Sequence, residues 1–218
     1  MALSWKQGSL AAASLVVTAA SLGWIYYHQF KAPRHNVPLH REVGQVMAEQ
    51  TAKLLGRKGR VLVVTIPTGD WPELQTQMDA FRQALQRLGD YDIKDHSLDP
   101  KGQPKYGVGT GLSGRRFVRL VKNHPEADAI VSFVGAPKLT DANLAELGKR
   151  PIFIAESRSP DHLPELFQKK ILLAAVVSRF VFPAPGPAQP ATPREWFDKR
   201  YQLLTADDVK LIPPSEPN

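Results

Sequence analysis

The chain has 218 residues, with 28 Lys and Arg against 21 Asp and Glu, and it contains no cysteine. Without cysteine, neither a disulfide framework nor a lipoprotein anchor is possible. The formal charge of +7 arises from short basic clusters without interleaved aromatic residues, so we expect a solvated surface and no nucleic-acid partner.

The first predicted element is an apolar segment that carries no charge between Lys6 and Lys31. A helix needs roughly 20 mainly apolar residues to cross a bilayer. The aromatic-rich stretch Trp24–Tyr27 suits the headgroup region at the end of such a helix. The pattern predicts one uncleaved transmembrane helix, and a cleavable signal peptide with small residues at 18–20 is the alternative interpretation.

The next part of the chain predicts an alternation of helices and strands. Apolar residues at close to helical spacing in Leu39–Leu55 predict a helix that connects the anchor to the body. Apolar or β-branched runs then predict strands at 61–66, 129–134, 152–155 and 171–177, with helices between them. The more polar run at 91–98 predicts a further strand, nearer an edge of the sheet. Strands that alternate with helices pair in parallel through right-handed crossovers. We therefore predict an α/β fold with a five-stranded, mostly parallel, doubly wound sheet of flavodoxin-like order.

The C-terminal part begins with a proline-rich segment, Phe182–Pro193, which predicts a stiff, extended linker. Thr192–Glu195 fits a capping box with proline at the first helical position, so an amphipathic helix follows that either packs on the body or binds a partner. The predicted boundaries are 1–31 for the anchor or signal segment, 32–59 for the connecting helix, 60–181 for the α/β lobe, 182–193 for the linker, 194–212 for the C-terminal helix and return segment, and 213–218 for a disordered tail.

The body of the chain resembles a known family over Arg60–Arg179. The residues that carry the resemblance are the strand Val61–Ile66, the helix end Leu85–Gly89, and the segments Ala127–Ser132 and Lys149–Ile154. They resemble one lobe of the type I periplasmic binding proteins, the sugar-binding and LacI-related superfamily, and Trp196–Val209 is similar to a C-terminal stretch of those proteins. The resemblance implies a periplasmic body that binds a small sugar-like solute.

The same resemblance implies an incomplete site. Proteins of that family close two lobes around the ligand, whereas this chain has room for one. A lone lobe covers only part of a solute and binds it weakly, because lost translational freedom must still be offset. We therefore expect a protein partner or a second copy of the chain to supply the second wall.

The candidate ligand-binding residues follow from the predicted topology, because ligands of open α/β sheets bind beyond the carboxyl ends of the strands. These residues are Thr68, Gly69, Asp70, Trp71, Gly135, Pro137, Glu156, Arg158 and Arg179. In the resembled family, the loop after the first strand contributes to the cleft. Asp70 would then accept a hydrogen bond from a hydroxyl group and Trp71 would stack on the solute. An ordinary turn, with Asp70 as a helix cap, is the alternative.

Other motifs give little support for catalysis. Gly109–Gly114 fits G-x-G-x-x-G by letter, but no buried strand precedes it, which leaves a loop or an anion site at a helix start. The six histidines form no H-x-x-x-H pair, and no serine lies in a G-x-S-x-G context. We therefore expect no metal, no cofactor and no catalytic residue.

The sequence thus predicts a non-enzymatic solute- or partner-binding module, anchored in the inner (cytoplasmic) membrane with its body in the periplasm. The distribution of Lys and Arg around the apolar segment by itself favours the opposite orientation, and the family resemblance decides between the two. One alternative is a small flavodoxin-like or hydrolase-type enzyme that acts on a sugar or phosphorylated substrate. Another is a scaffold subunit of a membrane complex.

Overall fold

The computed structural model describes residues 5–27, 35–69, 71–99, 112–148, 150–158 and 160–212. These residues form two units, which divide between His35 and Asn36. The first unit contains one helix, α1 (Trp5–Ile25), and its described side chains, from residue 13 onward, are exposed. Within the described parts of the chain, no helix combines the length and the apolar character needed to cross a bilayer. The predicted transmembrane helix is therefore not supported.

The second unit is built on a six-stranded sheet with the order β2-β1-β3-β4-β5-β6. The helices and strands are α2 (Val37–Leu55), β1 (Lys58–Thr65), α3 (Pro72–Leu88), β2 (Asp90–Ser97), α4 (Gly114–Asn123), β3 (Ala129–Ser132), α5 (Asp141–Glu146), β4 (Ile152–Ser157), α6 (Leu163–Gln168), β5 (Ala174–Ser178), α7 (Pro193–Arg200) and β6 (Tyr201–Thr205), followed by a 3-10 helix (Ala206–Leu211). The first five strands are parallel, which confirms the α/β class and the mostly parallel sheet.

The sixth strand corrects the prediction of five. β6 pairs antiparallel with β5, where the sequence predicted a helix and return segment. The spacing of the apolar residues in this segment is compatible with one continuous helix through Trp196, Phe197, Tyr201 and Leu204. In the structure, however, α7 ends at Arg200. Alternate residues of β6 then face opposite sides of the sheet, as a period of two requires, and Leu204 is buried. A five-residue strand gives too short an alternation to compete with the helical pattern in the sequence.

Burial explains why the central strands form where they do. All four residues of β3 are buried, and so are Val61–Thr65 in β1, because helices cover both faces of a doubly wound sheet. The edge strand β2 is mostly exposed, as its polar sequence predicts. The proline-rich residues 179–192 form neither a helix nor a strand.

Helix α2, the predicted connecting helix, lies within the second unit. Its apolar stripe is buried, with Val43, Val46 and Met47 all at or below 1% exposure. The helix packs closely on α3 at Gly44, where a Cβ atom would lie 2.1 Å from the carbonyl oxygen of Gln77. The close approach brings the first turn of α2 beside the first turns of α3.

Candidate functional site

The carboxyl ends of the parallel strands border a cleft of about 200 Å³. The residues that line it are His40, Glu73, Leu74, Gln77, Phe133, Glu156, Arg158, Ser178 and Tyr201. They come from the ends of β3, β4 and β5, the start of β6, and the first turns of α2 and α3. Because β6 runs antiparallel, its first residue, Tyr201, pairs with the last residue of β5, Ser178. The reversed strand thereby supplies a side chain to the same edge of the sheet.

Glu156 is the most buried charged side chain in the cleft, with 8% of its surface exposed. It lies in β4, one residue before the end of the strand. Burial raises the pKa of Glu156 from its ordinary value of 4.5 to about 7, and the positive charge of Arg158 offsets only part of this rise. Within the described residues, no hydrogen bond supports the ionised form of this carboxyl group. Among the described residues, the buried side-chain atom without a hydrogen-bond partner is Gln202 Nε2. The Glu156 carboxyl group lines the cleft and can accept hydrogen bonds from a molecule bound there.

Tyr201 forms one side of the cleft. Its ring stacks on Phe197 with the centroids 5.8 Å apart and the planes at 22°. Burial raises the pKa of the Tyr201 hydroxyl, and the negative charge of Glu156 raises it further. The hydroxyl therefore stays protonated at neutral pH and is available as a hydrogen-bond donor.

The other side of the cleft is polar. His40 Nδ1 lies 3.2 Å from Gln77 Nε2, so the contact links α2 to α3, and Gln77 is buried with 5% exposure. Glu73 lies in the first turn of α3, where a carboxylate is favoured by the helix dipole. The cleft is therefore lined by two carboxyl groups, one guanidinium, an amide, an imidazole, a phenol and the hydroxyl group of Ser178.

Of the predicted ligand-binding residues, the structure places Glu156 and Arg158 in this cleft. Thr68, Gly69 and Trp71 lie beside it in the loop after β1. The Trp71 amide donates to the Thr68 carbonyl at 2.8 Å, Thr68 Oγ1 donates to Gln75 Oε1 at 2.6 Å, and the partly buried Trp71 ring packs against the core. Asp70, between Gly69 and Trp71 in the sequence, lies outside the described residues.

Gly135 and Pro137 are buried in the turn after β3. The Gly135 carbonyl accepts a hydrogen bond from Ser132 Oγ at 2.7 Å. Gly135 has φ +98°, a backbone conformation that favours glycine. The two residues therefore shape the turn, while Phe133, at its beginning, reaches the cleft.

Arg179 lies outside the cleft. Its guanidinium donates to the carbonyl oxygens of Asp198 at 2.5 Å, Tyr201 at 3.0 Å and Val181 at 3.4 Å. It lines a separate cavity of about 320 Å³ beside α7 and β6. These contacts hold the crossover from α7 to β6 in position.

Sequence reasoning missed several residues of the cleft. Phe133 and Ser178 stand at strand ends and follow from the same rule that selected Glu156. His40 and Tyr201 were missed because α2 was interpreted as a connector and β6 as a helix. Glu73 and Gln77 lie in α3, a helix that was predicted but not considered as part of the site. Their convergence depends on contacts between segments far apart in sequence.

The other predicted motifs carry no chemistry in the described residues. Within that part of the chain, no group of three or more His, Cys, Asp or Glu side chains is arranged to hold a metal ion. Residues 109–111 of the glycine-rich motif, like the tail 213–218, lie outside the described residues. Ser113 caps α4 by accepting a hydrogen bond from the Arg116 amide at 3.4 Å.

Comparison with family models and with curated proteins gives no match. Solved structures do match. An arabinose-binding protein, AraP, from Geobacillus stearothermophilus is similar with a TM-score of 0.54 and 16% identity, over 79% of this chain and 63% of that one. A sugar-binding protein of an ABC transporter from Bacillus halodurans is similar with a TM-score of 0.51 and 14% identity, over 79% and 64%. The XylFII-LytSN complex contains a chain that is similar with a TM-score of 0.52 and 11% identity, over 78% and 60%.

These similarities establish the fold. The chain has the architecture of a single lobe of the type I periplasmic binding proteins, which confirms the resemblance seen in the sequence. It spans less than two thirds of the length of the proteins it matches.

Proposed function

We propose that this protein is a solute-binding module that holds a small, polar, sugar-like molecule in the cleft at the carboxyl ends of its strands. The observation that carries the proposal is Glu156, a largely buried carboxyl group that lines the cleft at the edge where open α/β sheets bind ligands. The similarity in fold to an arabinose-binding protein supports the same assignment.

The chemistry of the cleft suits a hydroxyl-rich solute. Glu156 accepts hydrogen bonds, Arg158 and the Tyr201 hydroxyl donate them, and the Gln77 amide can do both. A few convergent polar groups beside apolar surface, here Phe133 and Leu74, are typical of small-molecule sites.

The size of the cleft indicates that another protein surface completes the site. Its volume of about 200 Å³ lies below the range of about 300–1,000 Å³ that is usual for ligand pockets. We propose that a protein partner or a second copy of this chain covers the open side. One of the similar structures was itself determined as a complex, XylFII-LytSN.

We propose that the protein is attached to the inner membrane through α1, with its second unit in the periplasm. In α1 the described large apolar side chains are exposed, among them Leu15 at 73% and Trp24 at 68%, and such surfaces favour contact with lipid or protein. The family resemblance favours the periplasmic side.

Membrane attachment and orientation are tested by cell fractionation and protease treatment. In fractionated cells, the full chain should remain with membranes through a high-salt wash, and external protease should digest it in spheroplasts. Full protection from protease would contradict this orientation and place the second unit on the cytoplasmic side.

The binding proposal is tested by titrating the full-length protein with L-arabinose, D-xylose and D-glucose while its thermal midpoint is measured. At least one sugar should raise the midpoint in a saturable way, since a ligand that binds only the folded state stabilises it. Arg158→Ala and Glu156→Gln should weaken the effect about tenfold or more. Glu146→Gln, which removes an exposed carboxyl group of α5 outside the cleft, is the matched control. No saturable response to any sugar at about 50 mM, above the expected dissociation constants, would contradict the proposal.

A further inference from the structure

The arrangement of charges in the cleft distinguishes between classes of solute. Two carboxyl groups face it, Glu156 from β4 and Glu73 from α3, against one guanidinium, Arg158. Glu156 is buried at 8% exposure, whereas Arg158 is exposed. Since a buried charge is screened much less than an exposed one, the ionised carboxyl group dominates the electrostatics at the buried end of the cleft.

The positive charge of Arg158 offsets only part of the effect of burial on Glu156. The guanidinium lowers the pKa of this carboxyl group less than burial raises it. The other charged or titratable groups around the cleft are Glu73, Tyr201, His40 and, through its charge on Tyr201, Arg200. Glu73 adds negative charge, and His40 already contacts Gln77 at 3.2 Å. A cation from solution would therefore be stabilised beside Glu156.

An ammonium group fits this surrounding better than a hydroxyl group does. It supplies three hydrogen-bond donors and a positive charge, and a charge-assisted hydrogen bond is roughly twice as strong as a neutral one. Tyr201 lines the same cleft as Glu156, and aromatic rings of this kind attract cations. The volume of about 200 Å³ limits the guest to a small molecule.

Resting on the binding function proposed above, we propose that the preferred solute of this cleft carries a protonated amine, as an aminated polyol does, and that its ammonium group lies against Glu156. The hydroxyl groups of such a solute contact Gln77, Arg158 and Tyr201. A neutral sugar lacks the positive charge, and an acidic sugar places a second negative charge beside the carboxyl groups.

The test uses three probes that share one six-carbon skeleton and differ at one end. D-Glucamine ends in an ammonium group, D-sorbitol in a hydroxyl group and D-gluconate in a carboxylate. Their affinities for the full-length protein are measured by isothermal titration calorimetry at pH 8 and pH 5.5. At pH 8 D-glucamine should bind at least tenfold more tightly than D-sorbitol, and D-gluconate most weakly. At pH 5.5 the advantage of D-glucamine should shrink severalfold, because Glu156 becomes protonated and neutral.

Two variants test whether Glu156 causes the preference for D-glucamine. Glu156→Gln keeps the shape of the side chain and should abolish both the preference for D-glucamine and its dependence on pH. Glu73→Gln, at the first turn of α3, should reduce the preference by a smaller factor. At pH 7 the wild-type protein should release protons when it binds D-glucamine, which calorimetry in buffers of different ionisation enthalpy detects.

The outcomes separate this inference from the proposed function. Equal or tighter binding of D-sorbitol overturns the amine preference and leaves a solute-binding cleft. Tighter binding of D-gluconate also overturns it and assigns the leading role to Arg158. If none of the three probes and none of the neutral sugars binds, the proposed function fails together with the inference.

Discussion

At the scale of single residues, Glu156 is the side chain on which most of the chemistry depends. Its position follows from a simple rule, since it stands near the end of a buried strand and strand ends form ligand sites. Its burial raises the pKa of its carboxyl group to about 7. Such groups are concentrated at functional sites.

The raised pKa of Glu156 predicts how stability changes with pH. Between its ordinary pKa of 4.5 and about 7, the folded protein binds more protons than the unfolded protein. The free energy of unfolding should therefore fall as the pH rises through this interval, with a contribution from Glu156 of about 3 kcal/mol. Urea denaturation at pH 5 and pH 8 measures the fall. Glu156→Gln should remove this contribution and be more stable than the wild type at pH 8, and an unchanged pH dependence in the variant would show that Glu156 is not the source.

Val131 tests the buried central strand. The residue lies in β3 with 0% exposure, so Val131→Asp would place an unpaired charge in the core. We expect a loss of about 3–5 kcal/mol in the free energy of unfolding, seen as a large drop in the thermal midpoint. Val37→Asp is the control, because Val37 is 38% exposed and begins α2, where a carboxylate is tolerated or favoured. Equal stability of the two variants would refute the position of β3.

At the scale of elements, the packing of α2 on α3 positions one side of the cleft. Gly44 allows the two helices to approach, and His40 and Gln77 meet across them. The antiparallel strand β6 positions the opposite side of the cleft, because it brings Tyr201 to the end of β5. The sequence did not predict that α2 and β6 contribute to the cleft, because each contribution depends on the element it packs against, α3 for α2 and β5 for β6.

Gly44→Ala should destabilise the protein although alanine is the better helix former. The added Cβ would lie 2.1 Å from the Gln77 carbonyl oxygen and 2.9 Å from the Phe81 amide nitrogen, and backbone atoms cannot move aside as a flexible side chain can. We expect a loss of about 3 kcal/mol and a weaker response to solutes, since His40 and Gln77 would shift. Gly148→Ala has nothing within 4 Å of its Cβ and should be nearly neutral. Similar stability of the two variants would contradict the close contact of α2 and α3.

At the scale of the whole molecule, the second unit is one lobe of a fold that matches longer proteins over 60–64% of their length. The six-stranded sheet and the apolar core lie within the described residues of the second unit. The cleft has a volume of about 200 Å³. Under the proposal made above, a second protein surface would cover the cleft.

An open cleft predicts weak binding by the chain alone. The dissociation constant of a solute should lie in the millimolar to high micromolar range, because a partly covered ligand recovers little of the cost of association. Purification in mild detergent, followed by mass spectrometry and light scattering, should recover a partner or a dimer whose presence tightens solute binding. Tight sugar binding by a monomer would contradict the need for a second wall. A partner whose binding is lost in Trp196→Ala but unaffected by Arg158→Ala would favour the scaffold alternative.

The sequence by itself determined the α/β class, the five parallel strands and the helices between them, because these depend on local patterns of apolar and polar residues. It also selected Glu156 and Arg158, since strand ends can be read along the chain. Only the tertiary structure added β6, placed α2 beside α3, and brought His40, Gln77 and Tyr201 to the same cleft as Glu156. It also separated Arg179 from that cleft. The physical reason is that periodicity records which face of a segment is buried, whereas convergence depends on which distant segment buries it.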